Sequence, residues 1–428
     1  MATTLSIEHI KHWGLKGGLA VLDQGLFSGA NFLISVFLAR WLGKVDFGAF
    51  AVGFAVLSFF MQIYTSFALE PMSIIGPYRY RDRIDSYLLA QVQLLFLLSI
   101  PVGIVLSLII WLDELISNPS TVTSVLIFSA LSVPLILFPL LMRRIFYVLL
   151  KPGWAFLGSG VYSLGLILIF FVKMHFGVLD GESSVIIFSL ASFIAGLALL
   201  SILRRESSRS IKINVWVILV ETWSFGKWLI LSGVLIGLAT QSQIYLTGIL
   251  SSIENAGAVR ILQTFIQPMM LTSTAFSALA TPAMTADFAS GAYKAMRRKM
   301  FQFTVALGCI ALSYEFLLVF WGASLNDILF KGKYLSLTSQ IPIWGLSPIL
   351  LSFFWGGVIS LQASQKPQAM VIIAGCWAFF SFVPAVIIIP RLGAWGATLS
   401  MVAGFCAAFV STWILYWLWV HHVYMKRV

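Results

Sequence analysis

Polar side chains that could do chemistry are few in this sequence, and they recur at helical spacing inside apolar stretches. The stretch Gly17–Trp41 (GGLAVLDQGLFSGANFLISVFLARW) carries Asp23 near its middle, with Gln24, Ser28, Asn31 and Ser35 at i, i+4, i+7 and i+11, on one helical face. A carboxylate at that depth can read a coupling cation or accept from sugar hydroxyls. It can equally serve as an interhelical partner for a neighbouring donor. Arg260, Gln263, Gln267 and Thr274 share a second face, at i, i+3, i+7 and i+14. A guanidinium pairs with phosphate or with an acidic sugar, often bidentately. The competing reading is that Arg260 snorkels to water from a nearby helix end. Glu315 lies roughly 21 Å along its helix from Phe301, at ~1.5 Å per residue, as a counter-charge, a proton site or a structural acid.

The elements that must position these groups are membrane helices. The chain has 428 residues, of which 60% are hydrophobic and 10% charged, with a mean hydropathy of +0.96. A soluble chain would carry about 25% charged residues. We read an all-α polytopic membrane protein with about twelve transmembrane helices in two six-helix bundles. An interfacial segment at 1–16 precedes a bundle at 17–203. A linker and second interfacial segment at 204–223 precede a bundle at 224–420, and the tail is 421–428. The first apolar run reads as a retained helix and not a removed signal. Glu70-Pro71 and Thr281-Pro282 are expected to end the second and eighth spans. Met142 closes the fourth, and Gly322 to Ser339 reads as the longest outer loop. Cys309, Cys376 and Cys406 stand alone in apolar runs and read as small buried residues. The five histidines sit near span ends without ligand-type company. No metal, cofactor or nucleophile pattern emerges.

Lysine and arginine set the expected orientation. Of the 27, all but Arg40, Lys44, Lys173, Arg260, Lys331, Lys333 and Arg391 fall on the side of the N-terminus. Positive charge concentrates on cytoplasmic loops, so both termini are expected in the cytoplasm. This accounts for the net charge of +11 without a nucleic-acid partner. Arg143, Arg144, Arg297 and Arg298 would face headgroups, or capture a substrate phosphate at uptake.

A shift of 209 residues pairs Gly17 with Gly226, Gln24 with Gly233, Ser28 with Gly237, Asn31 with Thr240 and Gly48 with Gly257. Six spans per half keep the halves in one orientation, a parallel repeat of transporter type with the substrate cavity between halves.

Three short motifs carry a family resemblance. They are Ala39-Arg40-Trp41-Leu42-Gly43 followed by Asp46-Phe47-Gly48, then Arg143-Arg144 with Tyr147 and Lys151-Pro152, then Arg391-Leu392-Gly393-Ala394-Trp395-Gly396-Ala397. With them the chain resembles the multidrug/oligosaccharidyl-lipid/polysaccharide (MOP) exporter superfamily, most closely its Wzx-type flippases of lipid-linked oligosaccharide. The resemblance implies paired six-helix bundles and alternating access. It also implies a polyprenyl-diphosphate-linked sugar moved outward across the cytoplasmic (inner) membrane for surface polysaccharide biosynthesis. Membrane lipids and polysaccharide polymerase machinery follow as partners, with no cofactor and no enzyme activity. Arg40 would belong to an outer gate, or pair with Asp46 in the loop. The rival within the superfamily is a cation-coupled multidrug exporter, which the scarcity of acidic residues in the spans disfavours. The rival from another class is a membrane glycosyltransferase or polymerase, which usually needs a larger extracytoplasmic loop.

Overall fold

The computed structural model of the protein describes residues 7–116, 120–206, 213–364 and 367–418. Residues 1–6 of the expected interfacial segment, linker residues 207–212 and the expected tail lie outside the described residues. The chain is helical throughout, with no strand among the described residues. In order, the helices are α1 (Ile7–Trp41), α2 (Lys44–Tyr64), α3 (Glu70–Arg79), α4 (Ile84–Ile116), α5 (Thr121–Val148), α6 (Pro152–Phe176), α7 (Gly181–Glu206), α8 (Val215–Leu250), α9 (Ile253–Ala289), α10 (Tyr293–Phe330), α11 (Ile341–Ala363), α12 (Pro367–Leu392) and α13 (Ala394–Tyr416).

Eleven helical stretches among the described residues are long and apolar enough to cross a membrane, α2 and α3 counting as one. The remaining long helix is α9, the polar one, which carries Arg260, Gln263, Thr264 and Gln267. Outer faces are apolar, as hydrocarbon requires: Ile100, Ile104, Leu108 and Trp111 form one exposed strip along α4. Several buried serines return their hydroxyls to the helix itself. Ser99 donates to the Leu95 carbonyl and Ser129 to the Val125 carbonyl, each at 2.7 Å, so these hydroxyls are satisfied within their own helices.

Two compact units result, Met1–Leu38 with Val56–Ile230, and Ala39–Ala55 with Leu231–Val428. The first half of α2 joins the second unit, a grouping that a plain break at 204–223 does not give. The physical reason is close packing: a Cβ on Gly48 would stand 2.0 Å from the Ile253 carbonyl oxygen. Within the first unit, α5 packs on α4 and α7, and α6 on α7. Within the second, α11 packs on α10 and α13, and α12 on α13. The helix starts repeat too, with Lys44 and Ile253 offset by 209 residues, as are Ile84 and Tyr293.

Several expected boundaries move. Neither proline ends its helix. At Pro71 the backbone opens into a π turn, Thr65–Leu69, and resumes as α3. An unbroken helix would have residue 71 donate to the Phe67 carbonyl, and proline cannot. That carbonyl instead lies against Gly226, where a Cβ would stand 2.6 Å from it. α9 continues through Pro282 to Ala289. α5 continues past Met142 to Val148. The expected loop from Gly322 is helical to Phe330, leaving a short turn in which Lys331 adopts the left-handed conformation. Cys309 and Cys406 are exposed on their helices, not buried, and Cys376 is half-buried.

Candidate functional site

The longer α5 decides the first constellation. Arg143 and Tyr147 are one turn apart on it, and both reach Asp23 on α1. Asp23 is fully buried and Arg143 nearly so. Arg143 Nε donates to Asp23 Oδ1 at 3.2 Å and Nη2 donates to Oδ2 at 2.7 Å. Ser159 on α6 donates to Oδ1 at 2.5 Å, and the Tyr147 hydroxyl donates to Oδ2. Four donor groups therefore saturate the carboxylate, the geometry of an interhelical partner. The guanidinium also donates to Gln24 Oε1 at 3.3 Å and lies 4.2 Å over the Phe27 ring. Gln24, itself exposed, donates to Ser28 at 3.1 Å. Further along, Tyr162 donates to Asn31 Oδ1 at 2.6 Å and stacks on Phe27.

Arg143 thus corrects an expectation. It does not face headgroups but is buried inside the first unit, because α5 carries it inward and Asp23 neutralises it. Arg144, the next residue, points to another face, where it is half-buried and interacts with the charge of Glu70. Tyr147 stood in a quoted motif, but Ser159 and Tyr162 were missed. Their i, i+3 spacing on α6 was the available signal, and hydroxyls in an apolar run are too common to single out.

The second unit holds two buried charges that are not neutralised. Arg260 on α9 is 5% exposed. Its guanidinium carbon lies 4.5 Å over the Phe54 ring, its Nε has no hydrogen-bond partner, and no carboxylate among the described residues pairs with it. Burial excludes the snorkelling reading. Gln263 donates to the Thr240 carbonyl on α8 at 3.2 Å, and Gln267 is half-buried on the same face. Glu315 on α10 is 9% exposed and its Oε2 has no donor. It fits because Gly345 on α11 lacks a side chain: a Cβ there would stand 1.7 Å from Oε2. An aromatic ring can hold a cation but not replace a counter-ion, so Arg260 retains an electrostatic demand for an anion.

At the Ala39–Gly43 motif, Arg40 is half-buried with its Nε unpartnered, and the loop ion pair with Asp46 does not form. Lys333 caps that helix end instead, donating to the Ala39 carbonyl at 3.1 Å and to the Leu42 carbonyl. Burial, then the neighbouring Lys44 ammonium, holds the Lys333 pKa below the usual lysine range. Between α3 and α4, Tyr80 donates to Glu221 at 2.8 Å and Arg79 pairs with it at 3.1 Å. Burial, and then that carboxylate, push the Tyr80 phenol up.

With this arrangement in view, the family follows from sequence. The family of polysaccharide biosynthesis proteins matches residues 16–288, more than half the chain. The chain belongs to the polysaccharide biosynthesis protein family. The match takes in Asp23, Arg40, Arg143 and Arg260, while Glu315 and the Arg391–Ala397 motif lie beyond it. No curated protein matches the sequence. Among solved structures, the chain is similar to an inward-facing multidrug resistance MATE transporter of the MOP superfamily, at 15% identity and a TM-score of 0.78, covering 95% of this chain and 96% of that one. It is similar to an outward-facing transporter of the same kind at 16% identity and a TM-score of 0.63, covering 96% and 95%. A third is a MOP transporter from Pyrococcus furiosus whose binding pocket has reversed polarity, at 16% identity and a TM-score of 0.63, covering 96% and 94%. These likenesses give this member of the polysaccharide biosynthesis family a MATE-like fold, and family and fold together support a multi-pass membrane transporter.

Proposed function

We propose that the protein is a flippase that carries polyprenyl-diphosphate-linked oligosaccharide across the cytoplasmic membrane by alternating access, with both termini cytoplasmic. The observation that supports it most is Arg260. A buried guanidinium without an acidic partner is costly to keep in a membrane protein. A diphosphate or an acidic sugar arriving beside it supplies the missing acceptor, in the bidentate geometry that arginine favours. Gln263 and Gln267 continue the face with amide groups suited to sugar hydroxyls.

Asp23 enters this reading as a support. Its carboxylate fixes Arg143, and we place a sugar against the amides of the α1 stripe, the exposed Gln24 and the half-buried Asn31. Glu315 is where we place a coupling proton, because a carboxyl lacking donors changes charge more readily than one saturated by them. Arg40 and Arg144 are placed at the gate and at the uptake side.

A cation-coupled drug exporter carries cationic cargo, which an unneutralised Arg260 would repel. The test is a side-by-side flux measurement in proteoliposomes with a fluorescent polyprenyl-diphosphate oligosaccharide and with a lipophilic cation. The proposal expects protein-dependent movement of the first alone. Movement of the cation alone would replace it with the exporter reading.

A further inference from the structure

Away from the buried charges, a groove of about 530 Å³ opens at the ends of α10 and α13 in the second unit. Lys294, Arg297 and Arg298 line it from the first turns of α10, with Phe301 one turn further on. Trp413 and Tyr416 line it from the last turn of α13. The three cations lie at i, i+3 and i+4, on one helical face. They are exposed, and none is in an ion pair among the described residues. The neighbouring Lys299 is the one taken, by Asp287 at 2.7 Å.

The two aromatic groups are the second, independent observation. Tyr416 is 7% exposed, yet its hydroxyl has no hydrogen-bond partner, and the same holds for the Trp413 indole nitrogen. A buried donor without an acceptor is unfavourable, so two of them on residues that line one groove mark a place for an acceptor. Every charged group lining the groove is a cation, and no acidic residue lines it. The groove between the α3–α4 turn and α8 differs. It is lined by Arg79, Arg83, Asp82 and Glu221, which supply both signs.

Three features then describe the ligand. It is an acceptor-rich anion, because three cations and no carboxylate line the groove. It has an apolar part, because Phe301 and the Trp413 ring wall one side. It sits where two spanning helices end, at headgroup depth. We propose that this groove is a binding site for the phosphate headgroup of an anionic membrane lipid, separate from the Arg260 face. Arg297 and Arg298 hold the phosphate oxygens, Tyr416 and Trp413 donate to them, and the acyl chain leaves past Phe301.

Native mass spectrometry of the full chain in detergent, loaded with phosphatidylglycerol, phosphatidylcholine or inorganic phosphate, tests this. The expected result is retained phosphatidylglycerol, with retention falling at least about tenfold in Arg297→Gln/Arg298→Gln and several-fold in Tyr416→Phe. A brominated-chain phosphatidylglycerol should quench a component of the tryptophan emission that disappears in Trp413→Phe. Both arginines are exposed, so the double variant should fold normally. Three results would each overturn the proposal. They are equal retention of the two phospholipids, unchanged retention in the double variant, and binding of inorganic phosphate that the lipid does not displace.

Discussion

Arg143 and Asp23, 120 residues apart in the chain, close a buried bidentate contact in which each guanidinium nitrogen meets its own carboxylate oxygen, at 3.2 and 2.7 Å. The charge of the first unit's interior is thereby spent internally. Removing one partner of such a pair typically destabilises by about 3–5 kcal/mol, while replacing both with apolar groups of similar size is often neutral. Asp23→Asn should therefore lower the unfolding temperature in detergent markedly, and Asp23→Leu/Arg143→Met should restore most of it. Equal losses in the single and double variants would show that a stranded Arg143 charge is not what the single substitution costs.

Gly48 and Gly257, paired by the 209-residue shift, lie against each other. A Cβ on Gly257 would stand 3.2 Å from Gly48 Cα, and one on Gly48 would strike the Ile253 carbonyl. Gly48→Ala should be destabilising by about 1–3 kcal/mol, the usual range for overpacking. Gly25→Ala, with nothing within 4 Å, should be neutral or slightly stabilising, because alanine favours helix. Thermal unfolding of the two variants side by side is the check.

The fold was legible because hydrocarbon imposes its pattern on every span, and the 209-residue offset reappears in the helix starts. Prolines were misread because sequence shows the lost hydrogen bond but not its remedy. At Pro71 that remedy is a π turn with Gly226 alongside the stranded Phe67 carbonyl. Asp23, Asn31, Arg260 and Glu315 were legible as polar groups in apolar runs. Which of them are satisfied was not, since that depends on partners such as Ser159 and Tyr162, more than 130 residues away. Arg143 illustrates the cost of a boundary error. Ending the helix at Met142 placed on the surface a residue that six further helical positions carry inside.

Glu315 leads to a prediction about pH. Its Oε2 has no donor, and no cation is in an ion pair with it among the described residues. If it carries the coupling proton, transport driven by an imposed pH gradient should be lost in Glu315→Gln, while binding of substrate persists. Gly345→Ala, which puts a methyl group into the Oε2 position, should reproduce that loss with normal expression. A pH-gradient response retained in Glu315→Gln would remove it from the coupling role.

Arg260 joins stability to function in opposite senses. Replacing an unneutralised buried charge by an apolar side chain of similar length should not destabilise, and is often favourable. The most direct measurement is therefore the rate at which labelled polyprenyl-diphosphate oligosaccharide changes leaflet in vesicles carrying Arg260→Met, with its unfolding temperature recorded alongside. The account predicts an unfolding temperature equal to or above that of the native chain, with translocation at least about tenfold slower, from the loss of a charge-assisted phosphate contact. Translocation at the native rate by a fully folded Arg260→Met protein would contradict it.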